Sequence, residues 1–382
     1  MPFDVALFAD KLRRYCAQLE ATVDEVADAT GLQDRRVDAL IQGQVEPTGD
    51  EILILADYFK CDFKFFISNE RLAPFEQTES LFRKHGDILS KEDRWAIQEF
   101  LFLCECQEFL LVNTDGPSEK ALFAFSKSGR YYKRHGHDAA SALRRHLGYD
   151  QHAVPRDVFR DFRRIGIHVF RRKLAQSSIS GLFVRHPVAG TCALVNYSED
   201  IYRQRFSAAH EAAHALLDDG DDFSVSFSRW DSRDLSEVRA NAFASHFLMP
   251  PEFLTRIPVN GGWSDEPFLR WSQELRVNPE PFAYALKDAG LIEDQKVKRF
   301  RGLKIPGHEK IDPEIPRDLT VRNRERRKHL LEKGLCQSYA DLCFDAQSRG
   351  IISSGRLAEM LLCDVSELPA LADLFGRNLS HG

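Results

Sequence analysis

Residues 205–217 have the sequence RFSAAHEAAHALL, and this stretch is the starting point for interpreting the whole chain. Its apolar residues recur at helical spacing, so the sequence predicts an amphipathic helix here. His210 and His214 are four residues apart and therefore project from the same face of that helix. Two imidazoles on one face are what a tetrahedral metal ion takes from a single helix, and Glu211 beside them is placed to act as a general base.

A third protein ligand is needed, because two histidines alone do not hold a catalytic metal ion well. The next helical stretch, residues 236–250, has the sequence SEVRANAFASHFLMP and places Glu237 in its first turn, where the helix dipole favours a carboxylate. His246 lies half a rotation further round that helix, so it and Glu237 do not face the same ion. Spacing favours Glu237, and the carboxylates that compete with it are Asp218, Asp219 and Asp222.

Together the two stretches resemble the ImmA/IrrE metallopeptidase family, in which an H-E-x-x-H helix precedes a helix with the pattern E-x-x-A-N-x-F-A-x-x-L-[LM]-P. The order of the flanking segments is similar too, so the resemblance covers about residues 135–292. It implies that His210, His214 and Glu237 hold a Zn²⁺ ion. Glu211 would then be the catalytic general base. The implied activity is site-specific cleavage of a regulatory protein, a transcriptional repressor, in a stress, mobile-element or phage response.

Peptide hydrolysis also needs a group that stabilises the oxyanion and a surface that holds the substrate. For the first role the sequence offers four residues without choosing between them: His186, Asn196, Tyr197 and Tyr202. For the second, the strand predicted at residues 192–196 is a candidate, since an edge strand beside the metal helix pairs with extended substrate in peptidases of this layout. A plain core strand is the alternative, because Ala193 and Val195 must face something apolar.

Residues 1–68 are predicted to form five short helices, one of which begins with a capping box at residues 22–25. Their apolar pattern resembles the XRE-type helix-turn-helix domain of repressors, which implies DNA binding through Gln33, Arg35 and Arg36. Charge argues against DNA as the partner, because this segment carries seven basic and thirteen acidic residues, whereas DNA-binding modules are normally basic. A protein-docking or dimerising module is the alternative, and a homodimer is one outcome of it.

Length and composition indicate an ordinary globular chain with more than one domain. The sequence has 382 residues, of which 43% are hydrophobic and 29% charged, with a formal net charge of −6. It shows no secretory signal and no stretch apolar enough to cross a membrane, so no membrane partner is expected. The eight cysteines include no C-x-x-C pair, and we expect a reducing, cytoplasmic location.

The predicted fold class is α+β and mainly helical. We assign residues 1–68 to an all-α helix-turn-helix domain and residues 69–134 to a helical connector. Residues 135–292 form a zincin-like metallopeptidase domain with a small sheet, and residues 293–382 a basic helical region. Residues 295–334 carry thirteen basic and six acidic side chains. Such a segment is a solvated helix face, a surface for nucleic acid or an acidic protein, or a partner of the acidic N-terminal helices.

Three functions compete on these grounds. The first is a zinc metalloendopeptidase with a protein substrate. The second is a helix-turn-helix transcriptional regulator whose zinc domain is sensory or structural, and the third is an antitoxin or immunity-type protein that acts by binding. The presence of Glu211 favours the enzyme, because a structural metal site needs no general base.

Overall fold

The computed structural model describes residues 3–68, 81–82, 89–114, 123–126, 132–176, 178–218, 223–227, 234–259 and 262–379. These residues form eighteen α-helices, two short 3₁₀ helices and one four-stranded sheet. The prediction of a mainly helical α+β fold is therefore confirmed. Within the described ranges, no helix combines the length and the apolar character that a bilayer span requires.

The N-terminal segment contains the five predicted helices: α1 (Val5–Leu19), α2 (Val23–Thr30), α3 (Asp34–Ile41), α4 (Gly49–Tyr58) and α5 (Phe63–Ile67). The capping box predicted at the start of α2 is present. The Thr22 hydroxyl accepts a hydrogen bond from the Glu25 backbone N–H at 3.2 Å, and the Glu25 carboxylate accepts one from the Thr22 backbone N–H at 2.8 Å. Phe8, Leu12 and Phe59 are fully buried between these helices.

A long helix, α6 (Lys91–Thr114), follows within the region predicted to be a helical connector. It shares a hydrophobic cluster with one face of the sheet, with the N-terminal helices and with the last helices of the chain. An ion pair joins Glu99 to Arg172 of β1, and two carboxylate–imidazole contacts join Glu105 to His186 at 3.2 Å and Glu108 to His168 at 3.1 Å. Helix α6, which lies within the segment interpreted as a connector, thus covers one side of the sheet.

The sheet has the order β1-β3-β2-β4 and contains β1 (His168–Arg172), β2 (Ile179–His186), β3 (Gly190–Asn196) and β4 (Phe223–Phe227). Strand β3 pairs in parallel with β1, and β2 pairs antiparallel with both β3 and β4. Alternate residues of β3 face opposite ways, with Leu194 in the α6 cluster and Ala193 in a second hydrophobic cluster on the other face. The interpretation of residues 192–196 as a substrate-pairing edge is therefore wrong, because the edge strands are β1 and β4.

The second cluster contains four helices on the other face: α7 (Tyr132–His146), α8 (Val158–Arg164), α9 (Ile201–Leu217) and α10 (Leu235–Leu248). Helix α9 packs on β2 and β3, and α10 packs against both α9 and α7. Gly136 allows α7 and α10 to approach closely, since a Cβ atom there would lie 2.8 Å from the backbone nitrogen of Phe243. This packing fixes α10 beside α9.

The remaining helices are α11 (Pro251–Leu254), α12 (Asp265–Leu275), α13 (Pro279–Asp288), α14 (Asp294–Phe300), α15 (Val321–Glu332), α16 (Gln337–Ser348), α17 (Ser354–Met360) and α18 (Leu368–Phe375). The 3₁₀ helices are Gly307–Glu309 and Val365–Glu367.

The buried Arg171 of β1 donates two hydrogen bonds to Asp312, at 2.8 and 3.0 Å, and so ties the segment before α15 to the sheet. In the basic segment, Arg299 pairs with Asp265 and Lys310 with Asp200, both outside the N-terminal helices. The domain boundaries drawn from the sequence stay a prediction.

Candidate metal centre

Helix α9 positions the two histidines. It begins at Ile201 rather than near Arg205, because Asp200 caps it by accepting hydrogen bonds from the backbone N–H groups of its first turn. His210 and His214 are 6% and 1% exposed, and their Nε2 atoms lie 3.0 Å apart. The helical spacing read from the sequence therefore directs both rings to one point.

Glu237 reaches the same point from α10. It lies in the first turn of that helix, whose start is capped by Asp234. Its two carboxylate oxygens lie 3.3 Å from the Nε2 atom of His210 and 3.3 Å from that of His214. The ligand atoms of the three residues all lie within 4.8 Å of one another, and in the described part of the chain no other group of three such residues does so.

These distances fit a single small ion. Tetrahedral ligands at about 2.1 Å from zinc are about 3.4 Å from each other. The separations of 3.0 and 3.3 Å between the ligand atoms of this site are close to that edge length. Two imidazoles and one carboxylate are also the ligand set of catalytic zinc sites that leave the fourth position open.

The electrostatics of the site favour a positive charge. Burial opposes ionisation of Glu237, but hydrogen bonds from His210 and His214 outweigh it and hold the pKa of its carboxyl well below the usual range. Burial also disfavours a charged His214, yet hydrogen bonds to Asp218 and Glu237 and the charge of Glu211 raise its pKa to about 10. The same carboxylates would stabilise a cation bound between the rings.

Outer contacts orient both imidazoles. The Nδ1 atom of His214 lies 2.6 Å from Asp218, and the Nδ1 atom of His210 lies 3.2 Å from the side-chain oxygen of Asn241. Arg239 donates a hydrogen bond to the second oxygen of Asp218. Partners of this kind fix the ring orientation and leave Nε2 free for a metal ion. On the sequence alone, Asp218 was one of the competing candidates for the third ligand. Its contact with Nδ1 of His214 instead places it to orient that imidazole ring.

Glu211 lies against the sheet with no exposed surface. Neither of its carboxylate oxygens makes a hydrogen bond of normal geometry in the described residues, although the nearby Ser226 hydroxyl acts to lower its pKa. Burial raises its pKa, against the opposing effect of the two histidines. A buried carboxyl with a raised pKa beside a metal site is suited to accept and return a proton.

Gly181 of β2 makes room for this carboxyl group. A Cβ atom at residue 181 would lie 2.8 Å from Oε1 of Glu211 and 2.8 Å from the carbonyl oxygen of Leu194. Neither this glycine nor Asn241 was predicted from the sequence to belong to the site. A glycine inside a strand, as Gly181 is in β2, often marks such a close approach.

A cavity of about 720 Å³ opens beside the site. His210, Glu211 and Glu237 line it, so two of the three candidate ligands and the carboxyl group face one space. Of the four residues considered for the oxyanion, Tyr202 also lines it. The Tyr202 hydroxyl lies 3.5 Å from the Gln273 carbonyl oxygen. The other three residues do not line the cavity and contact other groups: His186 contacts Glu105, Asn196 the Ile179 carbonyl and Tyr197 the Arg171 guanidinium.

His246, the competing histidine, does not join the site. The Nε2 atom of His246 lies 2.8 Å from the Ser141 hydroxyl, and its ring stacks on His137 with centroids 4.9 Å apart. Asp219 and Asp222 lie outside the described residues.

The three residues considered for DNA contact lie at the start of α3. Gln33 is its N-cap residue and Arg35 is exposed. The Arg36 guanidinium already forms an ion pair within the N-terminal helices, because it donates hydrogen bonds at 2.7 and 2.8 Å to Glu51 of α4. DNA binding through these residues stays a prediction.

Comparison with known proteins finds a similarity to a peptidase family over part of the chain. A model of the Peptidase_M78 family, described as the IrrE N-terminal-like domain, matches residues 162–287, which include α9 and α10. This part of the chain is thus similar to a family of peptidases that are typically metal-dependent, and the match supports a metallopeptidase-type function. No curated protein matches the chain.

Proposed function

We propose that the chain is a zinc-dependent endopeptidase that cuts a regulatory protein, a transcriptional repressor, at a specific site. One observation carries the peptidase assignment: His210, His214 and Glu237 converge on one point, and two of them, His210 and Glu237, line a cavity together with the fully buried carboxyl group of Glu211. The similarity of residues 162–287 to a peptidase family supports it independently. The assignment of a transcriptional repressor as the substrate rests on the resemblance to the ImmA/IrrE family.

His210, His214 and Glu237 would hold the ion, which supplies a Lewis acid for a peptide carbonyl and for water. Glu211 would accept the proton of the attacking water and later pass it to the leaving amine. Its burial matters here, because a desolvated carboxylate is a stronger base than an exposed one. Asp218 and Asn241 would hold the imidazoles in one orientation throughout.

Strand β4 is the surface that we assign to the extended substrate. It is the edge strand on the β2 side of the sheet, and Ser226 of β4 lines the same cavity as Glu211. An extended peptide that pairs with an edge strand gains main-chain hydrogen bonds without regard to its sequence. Selection of one target then depends on side-chain pockets.

The test is a comparison of new protein termini in host cells that express the wild-type chain or the Glu211→Gln variant. The proposal expects a cleavage product of a repressor with the wild type and none with Glu211→Gln, whose fold is retained. Glu266→Gln is the matched control, because Glu266 is exposed and lies outside the cavity, and it should cleave like the wild type. Equal cleavage by Glu211→Gln would contradict the peptidase assignment, and cleavage of proteins other than repressors would contradict the substrate class.

A further inference from the structure

The cavity extends from the metal centre along a wall that is mainly apolar. Helices α9, α10 and α13 supply this wall through six residues: Phe206, Val238, Ala242, Pro281, Tyr284 and Ala285. Phe206 lies one helical turn before His210, and Val238 directly follows Glu237. The wall therefore begins next to the ligands and not at a separate place on the surface.

The space exceeds what a peptide group at the metal would fill. A volume of about 720 Å³ lies within the range of pockets that bind whole small molecules. Ala242 and Ala285 contribute methyl groups where larger side chains would occupy the space. A substrate side chain beside the scissile bond can therefore enter.

Among the charged side chains that line the cavity, Lys133, Arg203 and Asp288 are paired, and Glu280 is exposed to solvent. Lys133 pairs with Asp288 at 2.8 Å, and Arg203 pairs with Glu199 at 2.7 Å. An entering charged side chain would lose its water and find these partners already engaged. An apolar side chain would lose no hydrogen bonds and would bury its surface against aromatic and aliphatic groups.

We infer that this wall is a specificity pocket that selects a large apolar side chain next to the scissile bond. The inference rests on the proposed peptidase function. The preference for an apolar side chain is nevertheless a binding affinity, which can be measured without cleavage. Val238 and Tyr284 are the residues assigned to that preference. Both are partly exposed, Tyr284 at 45%, so their substitution leaves the core intact.

The test uses leucine hydroxamate and glycine hydroxamate, which share a zinc-chelating group and differ in the side chain. Titration calorimetry on the zinc-loaded chain gives the ratio of the two affinities without any cleavage. We expect leucine hydroxamate to bind about tenfold or more tightly than glycine hydroxamate. Val238→Trp should bring the ratio close to one because it fills the pocket, and Tyr284→Ala should lower it because it removes part of the wall.

The matched control is Val321→Trp, since Val321 is 77% exposed and lies outside the cavity, and it should keep the wild-type ratio. A ratio near one in the wild type, a ratio unchanged in both pocket variants, or no binding of either compound would overturn the inference. A digest of a peptide library distinguishes failure of the proposed peptidase function from failure of the specificity pocket. Side-chain selectivity without any cleavage would contradict the endopeptidase and leave the pocket standing.

Discussion

The Nδ1 atom of His214 lies 2.6 Å from the carboxylate of Asp218, and the other oxygen of that carboxylate accepts a hydrogen bond from Arg239. His214 belongs to α9, Asp218 follows its end and Arg239 belongs to α10. One carboxylate therefore links the helix that carries both histidines to the helix that carries Glu237. The geometry of the candidate site depends on this link as well as on the ligands.

Asp218→Asn should weaken metal binding by about 10- to 100-fold, because the neutral amide holds His214 and Arg239 less firmly. Competition with a fluorescent zinc chelator measures the change. Asp28→Asn is the control, since Asp28 is exposed on α2 and should leave the affinity unchanged. An Asp218→Asn variant that binds zinc as tightly as the wild type would show that the link does not orient the ligand.

Gly181→Ala should destabilise the protein by about 1–3 kcal/mol, because the added methyl group overpacks the contact between β2 and Glu211. The new Cβ would lie 2.8 Å from a Glu211 oxygen and 2.8 Å from a backbone carbonyl. Urea denaturation gives the free energy of unfolding. Gly307→Ala serves as the comparison, because nothing lies within 4 Å of a Cβ there. Equal stability of the two variants would contradict the close contact.

The pair of Arg36 and Glu51 should stabilise the N-terminal helices above acidic pH. Hydrogen bonding to Arg36 lowers the pKa of Glu51 from 4.5 to about 2. The Glu51 carboxyl ionises at a lower pH in the folded protein than in the unfolded chain. Its contribution to the free energy of unfolding is therefore present above pH 4.5 and is lost as the pH falls toward 2. Arg36→Gln should remove about 1 kcal/mol of stability at neutral pH and nothing near pH 2. Chemical denaturation at both pH values measures this, and a loss of equal size at both would refute the assignment.

His246 should make the protein less stable below neutral pH. Burial, with the neighbouring His137, lowers its pKa from 6.5 to about 4. The unfolded chain therefore takes up this proton first as the pH falls, and stability decreases between about pH 6.5 and pH 4. Between pH 7 and pH 5 the loss should be about 2 kcal/mol.

His246→Gln should reduce that dependence, because glutamine does not titrate. Thermal unfolding at the two pH values measures the difference between variant and wild type. His308→Gln provides the control, since the His308 side chain is 83% exposed. The same pH dependence in His246→Gln and in the wild type would rule out His246 as its source.

The parts of the site that the sequence predicted are those set by local geometry. A separation of four residues on a helix brings His210 and His214 together whatever surrounds them. Glu237 followed from its place in the first turn of the next helix and from the family resemblance. The structure brings these three residues to one point, and their role as ligands is part of the proposal.

The parts that the sequence did not predict depend on contacts between distant segments. Gly181 matters because β2 passes under Glu211, and Asn241 matters because α10 packs beside α9. Strand β3 could not be recognised as internal from its own residues, since its position follows from the pairing of β1 and β2 on either side of it. Likewise, the engagement of Arg36 by Glu51 follows from the packing of α3 on α4.

The central claim is that His210, His214 and Glu237 hold one metal ion next to Glu211. The most direct measurement is the zinc content of the purified chain, determined by elemental analysis for the wild type and for the Glu237→Gln and Glu211→Gln variants. We predict about one zinc per chain for the wild type and for Glu211→Gln, and a large loss for Glu237→Gln. A wild-type chain that binds no zinc, or a Glu237→Gln variant that binds it as fully as the wild type, would contradict the account.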